Sequence, residues 1–211
     1  MKNSTRQNIL EKCFQAIEKG GFEALRTDKE INGLSISKGA FYHYFPTKLE
    51  LGYAIIEELI KPMYESKWSS LLENESSVAE KLYQLIESEK NTVTDIKVSR
   101  GDVLYNLMLE MSGVDHKFRL KLDEVLEIQV KILQKALLLG KSNDQFKSNV
   151  DSRSMAYSLI GQLHGCYAIA KTRNSKDVFV SMVNALQKQL LEVLYTKNPL
   201  QQPVMVEQRA Y

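Results

Sequence analysis

Apolar residues recur at three- and four-residue intervals along most of this chain, the period of helices that bury one face. The first run, Thr5 to Gly20, aligns Ile9, Leu10, Cys13, Phe14 and Ile17, and Gly20-Gly21 ends it. Phe22 and Leu25 follow as plugs for the core of the same small unit. Thr27 or Asp28 can cap a short helix from Lys29 to Leu34, with Ile31 and Leu34 facing inward. A turn over Gly33 to Ile36 leads to Ser37, a good N-cap, and then to a short helix that Pro46 stops, because proline biases the residue before it away from helical geometry. On that helix Phe41 and Phe45 share an inward face while Lys38 and Tyr42 share an outward one. Two short helices joined this closely have the geometry of a helix-turn-helix.

The later patterns are longer. Lys48 to Leu72 carries Leu49, Leu51, Ala54, Ile55, Leu59 and Ile60, with Pro62 breaking or kinking it near the middle. The polar stretch Glu73 to Ser77 precedes a helix at roughly Val78 to Thr92, with Leu82, Leu85 and Ile86 inward. A shorter helix from about Asp102 to Met111 supplies Leu104, Tyr105, Leu107, Met108 and Met111. Asp115 caps a long helix to Leu139, closed by Gly140, and Asp151 caps the next. On that helix Gly161, Gly165 and Ala168 form a groove shallow enough for another helix to approach, within this chain or from a second copy. The final helix presents Phe179, Val183, Leu186, Leu190 and Leu194, and beyond Asn198 the residues Pro199 and Pro203 predict an extended or disordered tail. The expected fold class is all-α, about nine helices. Residues 1–47 form a three-helix helix-turn-helix head, 48–197 a larger helical domain, and 198–211 the tail.

Composition narrows the function. With 211 residues, 44% of them hydrophobic, the chain buries a substantial core without staples. Cys13 and Cys166 lie far apart with no Cys-x-x-Cys spacing, which argues against a disulfide framework or zinc site and suits a reducing cytoplasm. Buried thiols are the plainer reading of both; a redox switch is the alternative. The N-terminus has no apolar leader and no segment approaches 18 uninterrupted apolar residues, so the expectation is a soluble, intracellular protein with no membrane partner. Net charge is only +2, but residues 1–50 hold 8 Lys+Arg against 6 Asp+Glu, and no acidic residue occurs between Ile31 and Leu49. That segment can approach a polyanion without local repulsion. The sequence has no Gly-rich phosphate loop, no Gly-x-Ser-x-Gly and no His-Glu-x-x-His, and Ala40, Gly113 and Gly161 stand three residues before the histidines where a di-iron bundle needs glutamate. No enzymatic activity, metal or cofactor is expected.

The run Ile36-Ser37-Lys38-Gly39-Ala40-Phe41-Tyr42-His43-Tyr44-Phe45-Pro46-Thr47-Lys48 resembles the hallmark of the TetR family of transcriptional regulators, and the likeness extends over Thr5 to Met63. The resemblance implies phosphate contacts from Thr27, Ser37, Tyr42 and Lys48, and base-edge contacts from Lys38, Gly39, Ala40 and His43, with Tyr44 on the same DNA-facing segment. Many relatives have glycine directly before the apolar turn residue, where this chain has Ser35. Leu51-Gly52-Tyr53-Ala54-Ile55-Ile56 through Pro62-Met63, and Arg100-Gly101-Asp102 through Ser112, are similar to a branch that responds to reactive electrophiles and small unsaturated acids. That branch often has cysteine where Asp102 stands, so a thiol sensor is excluded at this position.

The family implies a homodimer built on the last two long helices, here Gly161, Gly165 and Ala168 with Phe179, Val183, Leu186 and Leu190. A small-molecule cavity is expected among Trp68, Tyr83, Tyr105, Met108, Met111, His164 and Tyr167, although aromatics and methionines at helical spacing are more often plain core. The resulting expectation is a bacterial cytoplasmic repressor, nucleoid-associated when bound, that grips a near-palindromic double-stranded operator and leaves it when a small inducer enters. A ligand-independent or activating regulator is the alternative within the fold, and a helical protein-interaction adaptor the alternative outside it.

Overall fold

In the computed structural model the described residues are 2–34, 36–73 and 77–199, with the side chains of residues 2–4 excepted. The expectations placed on Ser35, on the middle of the Glu73 to Ser77 connection and on the tail beyond Pro199 lie outside them.

The head consists of α1 (Lys2–Gly20), α2 (Thr27–Asn32) and α3 (Lys38–Tyr44). Ile9, Leu10, Cys13 and Ile17 of α1 are buried with Phe22, Leu25, Ile31, Phe41 and Phe45, so the predicted stripe and both plugs make the head's core. Gly21 ends α1 at φ +88°, a conformation glycine adopts without a Cβ penalty. The second helix starts earlier than its pattern indicated. Arg26 occupies the N-cap position with no side-chain bond, and neither Thr27 nor Asp28 caps, because both already lie inside the first turn.

Residues 48 to 72 form a continuous rod with a local irregularity. α4 (Lys48–Ile55) passes into a π-helical turn, Ile56–Ile60, and then into α5 (Lys61–Ser69), which ends in a 3-10 turn at Ser70–Leu72. Pro62 sits at the start of α5. Proline lacks an N–H and its ring crowds the carbonyl one turn back, and the widened π turn just before it takes up that mismatch. The break expected at Pro62 is therefore a change of helical pitch.

The remaining elements are α6 (Val78–Thr92), α7 (Asp95–Arg100), α8 (Val103–Met111), α9 (His116–Ser142), α10 (Ser152–Arg173) and α11 (Lys176–Val193). Ser77, Thr94, Asp102, Asp115, Asp151 and Ser175 cap these six, each accepting from the backbone N–H three residues on. α7 had no counterpart in the sequence pattern, since six residues hold less than two turns of periodicity. Gly140 does not close α9. It lies inside the helix, where a Cβ would come within 2.2 Å of the Phe146 ring, so its role is to admit that ring.

Two apolar clusters fill the molecule. One joins the head to α4, α8 and the first half of α9, including Leu51, Leu104, Leu107, Met111, Phe118 and Leu122. The other joins α6, the second half of α9, α10 and α11. The long helix α9 belongs to both and ties them together. No described helix is long and apolar enough to cross a membrane.

Candidate functional site

The first candidate surface is α3. Ser37 accepts a hydrogen bond from the Ala40 N–H at 3.1 Å, which fixes the start of the helix, and Phe45 leaves helical geometry just before Pro46. Phe41 and Phe45 are buried, 6.1 Å apart between ring centroids. The opposite side exposes Ser37, Lys38, Gly39, Tyr42 and His43, while Ala40, Tyr44 and Thr27 are half-buried beside them. A Cβ added at Gly39 would meet nothing within 4 Å, so the fold itself has no steric need for glycine there. Lys48 is more committed than its motif implied. Its Nζ donates to the Glu23 carbonyl at 2.9 Å and lies 4.9 Å from the Phe22 ring centroid, leaving further N–H donors for an outside partner.

The head is held to the body by named contacts. The Glu110 carboxylate of α8 accepts from the backbone N–H groups of Phe22, at 2.9 Å, and Glu23, at 2.7 Å. Arg6 of α1 forms a bidentate pair with Glu58 in the π turn. Tyr53 donates to Asp115, the cap of α9, at 2.8 Å.

The second candidate site is a cavity of about 410 Å³ lying between the head and the body. Glu18 of α1, Met63, Tyr64 and Lys67 of α5, Glu89 of α6 and Tyr167 of α10 line it, together with Thr94, Ile96, Lys97 and Arg100 and the turn Gly101 to Val103. Glu89 is buried and accepts from Lys67 at 2.8 Å and from the Tyr167 hydroxyl at 2.6 Å, with Lys97 at 3.6 Å. Burial opposes its ionisation, but the two lysines and the phenol outweigh that and hold its pKa below the usual carboxylate range. Asp102 accepts from the Tyr64 hydroxyl at 2.7 Å and the Tyr105 N–H at 2.9 Å. His164 lies 3.7 Å from Asp102 and stacks on Tyr105, and burial pushes its pKa down.

Only part of the expected pocket set converges here. Tyr167 lines the cavity, and Trp68 and His164 line a much smaller void behind it, where Trp68 donates to Gln129 at 2.8 Å. Tyr105 does not line the cavity and reaches it through its N–H bond to Asp102 and its stacking on His164. Met111 is buried in the core shared with the head and Met108 packs on that core, so neither lines the cavity. Tyr83 also lies outside it. The charged residues were missed. Their signal was Glu89, an acid three positions after Ile86 on the inward stripe of α6.

The expected seam divides in the same way. Gly161 is exposed, Gly165 and Ala168 are half-exposed, and a Cβ at either glycine would meet nothing within 4 Å. Phe179, Val183, Leu186 and Leu190, by contrast, are buried inside this chain's own core, Phe179 packing on Tyr167 at 4.5 Å between centroids. They cannot face a second subunit without unpacking that core, so their assignment to the seam is corrected. Cys13 and Cys166 are buried, and burial raises their thiols to about 12 and about 11, which removes the reactive thiolate at neutral pH. Among the described residues no group of His, Cys, Asp and Glu is arranged to hold a metal ion.

Comparison with known proteins fits this architecture. Residues 78–186 match the family described as tetracyclin repressor-like, C-terminal domain. An uncharacterized HTH-type transcriptional regulator of Lactococcus lactis subsp. lactis is 24% identical over 185 residues, 87% of this chain and 92% of its own. The HTH-type transcriptional repressor NemR of Escherichia coli K12 is 21% identical over 142 residues, 67% of this chain and 71% of its own. The crystal structure of the reduced form of E. coli NemR superposes with a TM-score of 0.76 at 21% identity, covering 87% of this chain and 96% of that one.

Proposed function

The chain belongs to the TetR family of transcriptional regulators, and from that premise we propose that it is a homodimeric repressor that binds a near-palindromic operator and releases it when a small molecule occupies the cavity. The observation that carries this reading is α3, which buries Phe41 and Phe45 and turns Lys38, Gly39, Tyr42 and His43 outward on a segment without acids. In this reading residues 1–47 are the DNA-binding head and 48–197 the ligand-binding and dimerisation body. Ser37, Tyr42, Thr27 and the free donors of Lys48 fix the register on phosphates, while Lys38, Gly39, Ala40 and His43 approach base edges, with Tyr44 supporting them. The open stripe of Gly161, Gly165 and Ala168 on α10 supplies the two-fold seam. Release is a population shift, in which the ligand favours a state with displaced heads and lowers DNA affinity by the ratio of its affinities for the two states.

The test is selection of duplexes from a random pool, followed by fluorescence anisotropy at several salt concentrations. Binding should weaken steeply with salt. Tyr42→Ala should weaken binding to all duplexes, and Lys38→Ala should relax preference at one or two base positions. A protein that retained full operator affinity after Tyr42→Ala and Lys48→Ala together would refute the placement of α3 on DNA.

A further inference from the structure

The cavity's charged groups are not equally occupied. Both oxygens of Glu89 have close donors, Lys67 on one and Tyr167 on the other, and both oxygens of Asp102 have theirs, Tyr64 and the Tyr105 N–H. An incoming cation would have to displace a donor already in place. The two cations of α7 are held loosely instead. Lys97 stands 3.6 Å from Glu89, and Arg100 stands 3.8 Å from Glu18, both beyond hydrogen-bond length. They are three residues apart on one face of a helix, close enough to grip one small anionic group together. Around them Met63, Ile96, Val103 and the Tyr167 ring offer apolar contact.

We propose that the cavity takes an amphipathic organic carboxylate, whose charged end binds Lys97 and Arg100 and whose apolar body lies against Met63, Ile96 and Val103. This rests on the ligand-responsive reading above and specifies both its ligand class and its signal. Glu18 belongs to α1 of the head, and it shares Arg100 with the cavity. A ligand carboxylate competes with Glu18 for that guanidinium, so occupancy removes one tie between α7 and the head. The neighbouring tie, Glu110 of α8 to the Phe22 and Glu23 N–H groups, is carried by the helix that begins at the cavity wall with Asp102 and Val103. A ligand that shifts the α7–α8 turn therefore acts on both.

The experiment titrates full-length protein, free and bound to a selected operator duplex, with octanoate, octanamide and octylamine. The readouts are calorimetry for binding and anisotropy for DNA release. Octanoate should bind at least about tenfold tighter than the amide or the amine, the loss expected when a charge-assisted contact is removed. Arg100→Gln and Lys97→Gln should each cost octanoate about tenfold and leave octanamide unchanged. Glu18→Gln should tighten octanoate, because its competitor is gone, while shrinking the release that octanoate causes. No octanoate binding, an equal or tighter fit of amine or amide, or indifference to Arg100→Gln overturns the proposal, with operator binding still intact. Octanoate binding as described, in a protein without salt-dependent DNA affinity, supports the carboxylate site and overturns the repressor reading alone.

Discussion

Phe22 of the head and Phe118 in the first turn of α9 meet edge to face, 4.7 Å apart between ring centroids, above the backbone of Gly52. A Cβ at position 52 would stand 2.6 Å from an atom of each ring. Head, rod and long helix thus close on one residue that has no side chain, and Lys48 adds its ammonium over the outer face of Phe22. Gly52→Ala should overpack this junction and destabilise the protein by about 1–3 kcal/mol, read as a lower urea midpoint with an unchanged slope. An unchanged midpoint would mean that the rings separate freely and that the joint is not rigid.

How much of this was legible depends on what the sequence encodes locally. The caps Ser37, Asp115 and Asp151 were readable because a capping side chain bonds only three residues ahead. The core face of α1 was readable because its period runs over several turns. Gly52 and Gly140 were not, since their value lies in rings brought from residues 22, 118 and 146 by the tertiary fold. The apolar stripe of α11 was visible, but its destination was misassigned. Periodicity shows that Phe179 and Val183 are buried, and it cannot say whether their own chain or a second one buries them. The cavity was the least legible part, because its polar residues come from α1, α5, α6, α7 and α10 and no two of those elements announce the pairing.

Gly39 separates folding from binding. It lies in the first turn of α3 with open space where a Cβ would go, so Gly39→Ala should stabilise the free protein by up to about 1 kcal/mol through helix propensity. If α3 enters the major groove, the same methyl stands between backbone and DNA, and operator affinity should fall. Thermal melting and anisotropy on one preparation check both signs. A rise in stability with unchanged DNA affinity would move the close approach away from this residue.

Glu89 makes stability depend on pH in a definite direction. Its pKa is held below the ordinary carboxylate value by Lys67, Lys97 and Tyr167 despite burial. A carboxyl with a lowered folded pKa stabilises fully above its unfolded value and loses that contribution as pH falls through the folded one. Glu89→Gln should therefore cost about 2 kcal/mol at neutral pH, with the gap to the unsubstituted protein closing as both are acidified below the ordinary carboxylate range. Urea midpoints measured pairwise down the pH scale cancel the other carboxylates. A gap that stayed constant would show that Glu89 contributes through packing and hydrogen bonding, without its charge.

The outer face of α10 carries two glycines for which the described residues give no internal packing reason. Glycine within a helix costs roughly 0.5–1 kcal/mol relative to alanine, and Gly161 and Gly165 have no neighbour that a Cβ would strike. Tyr157 and Ile169, both exposed, flank them. Close approach of the same helix from a second copy would give both glycines a use, because a two-fold contact brings each residue near its own symmetry mate or a near neighbour. Gly161→Leu with Gly165→Leu should then convert dimer to monomer in sedimentation velocity while helical circular dichroism stays at its original level. Operator affinity should fall with it, since one head holds one half-site. A double variant that sedimented as a dimer with operator affinity intact would place the seam elsewhere, and a variant that lost its helical signal would show that the face is packed within the chain after all.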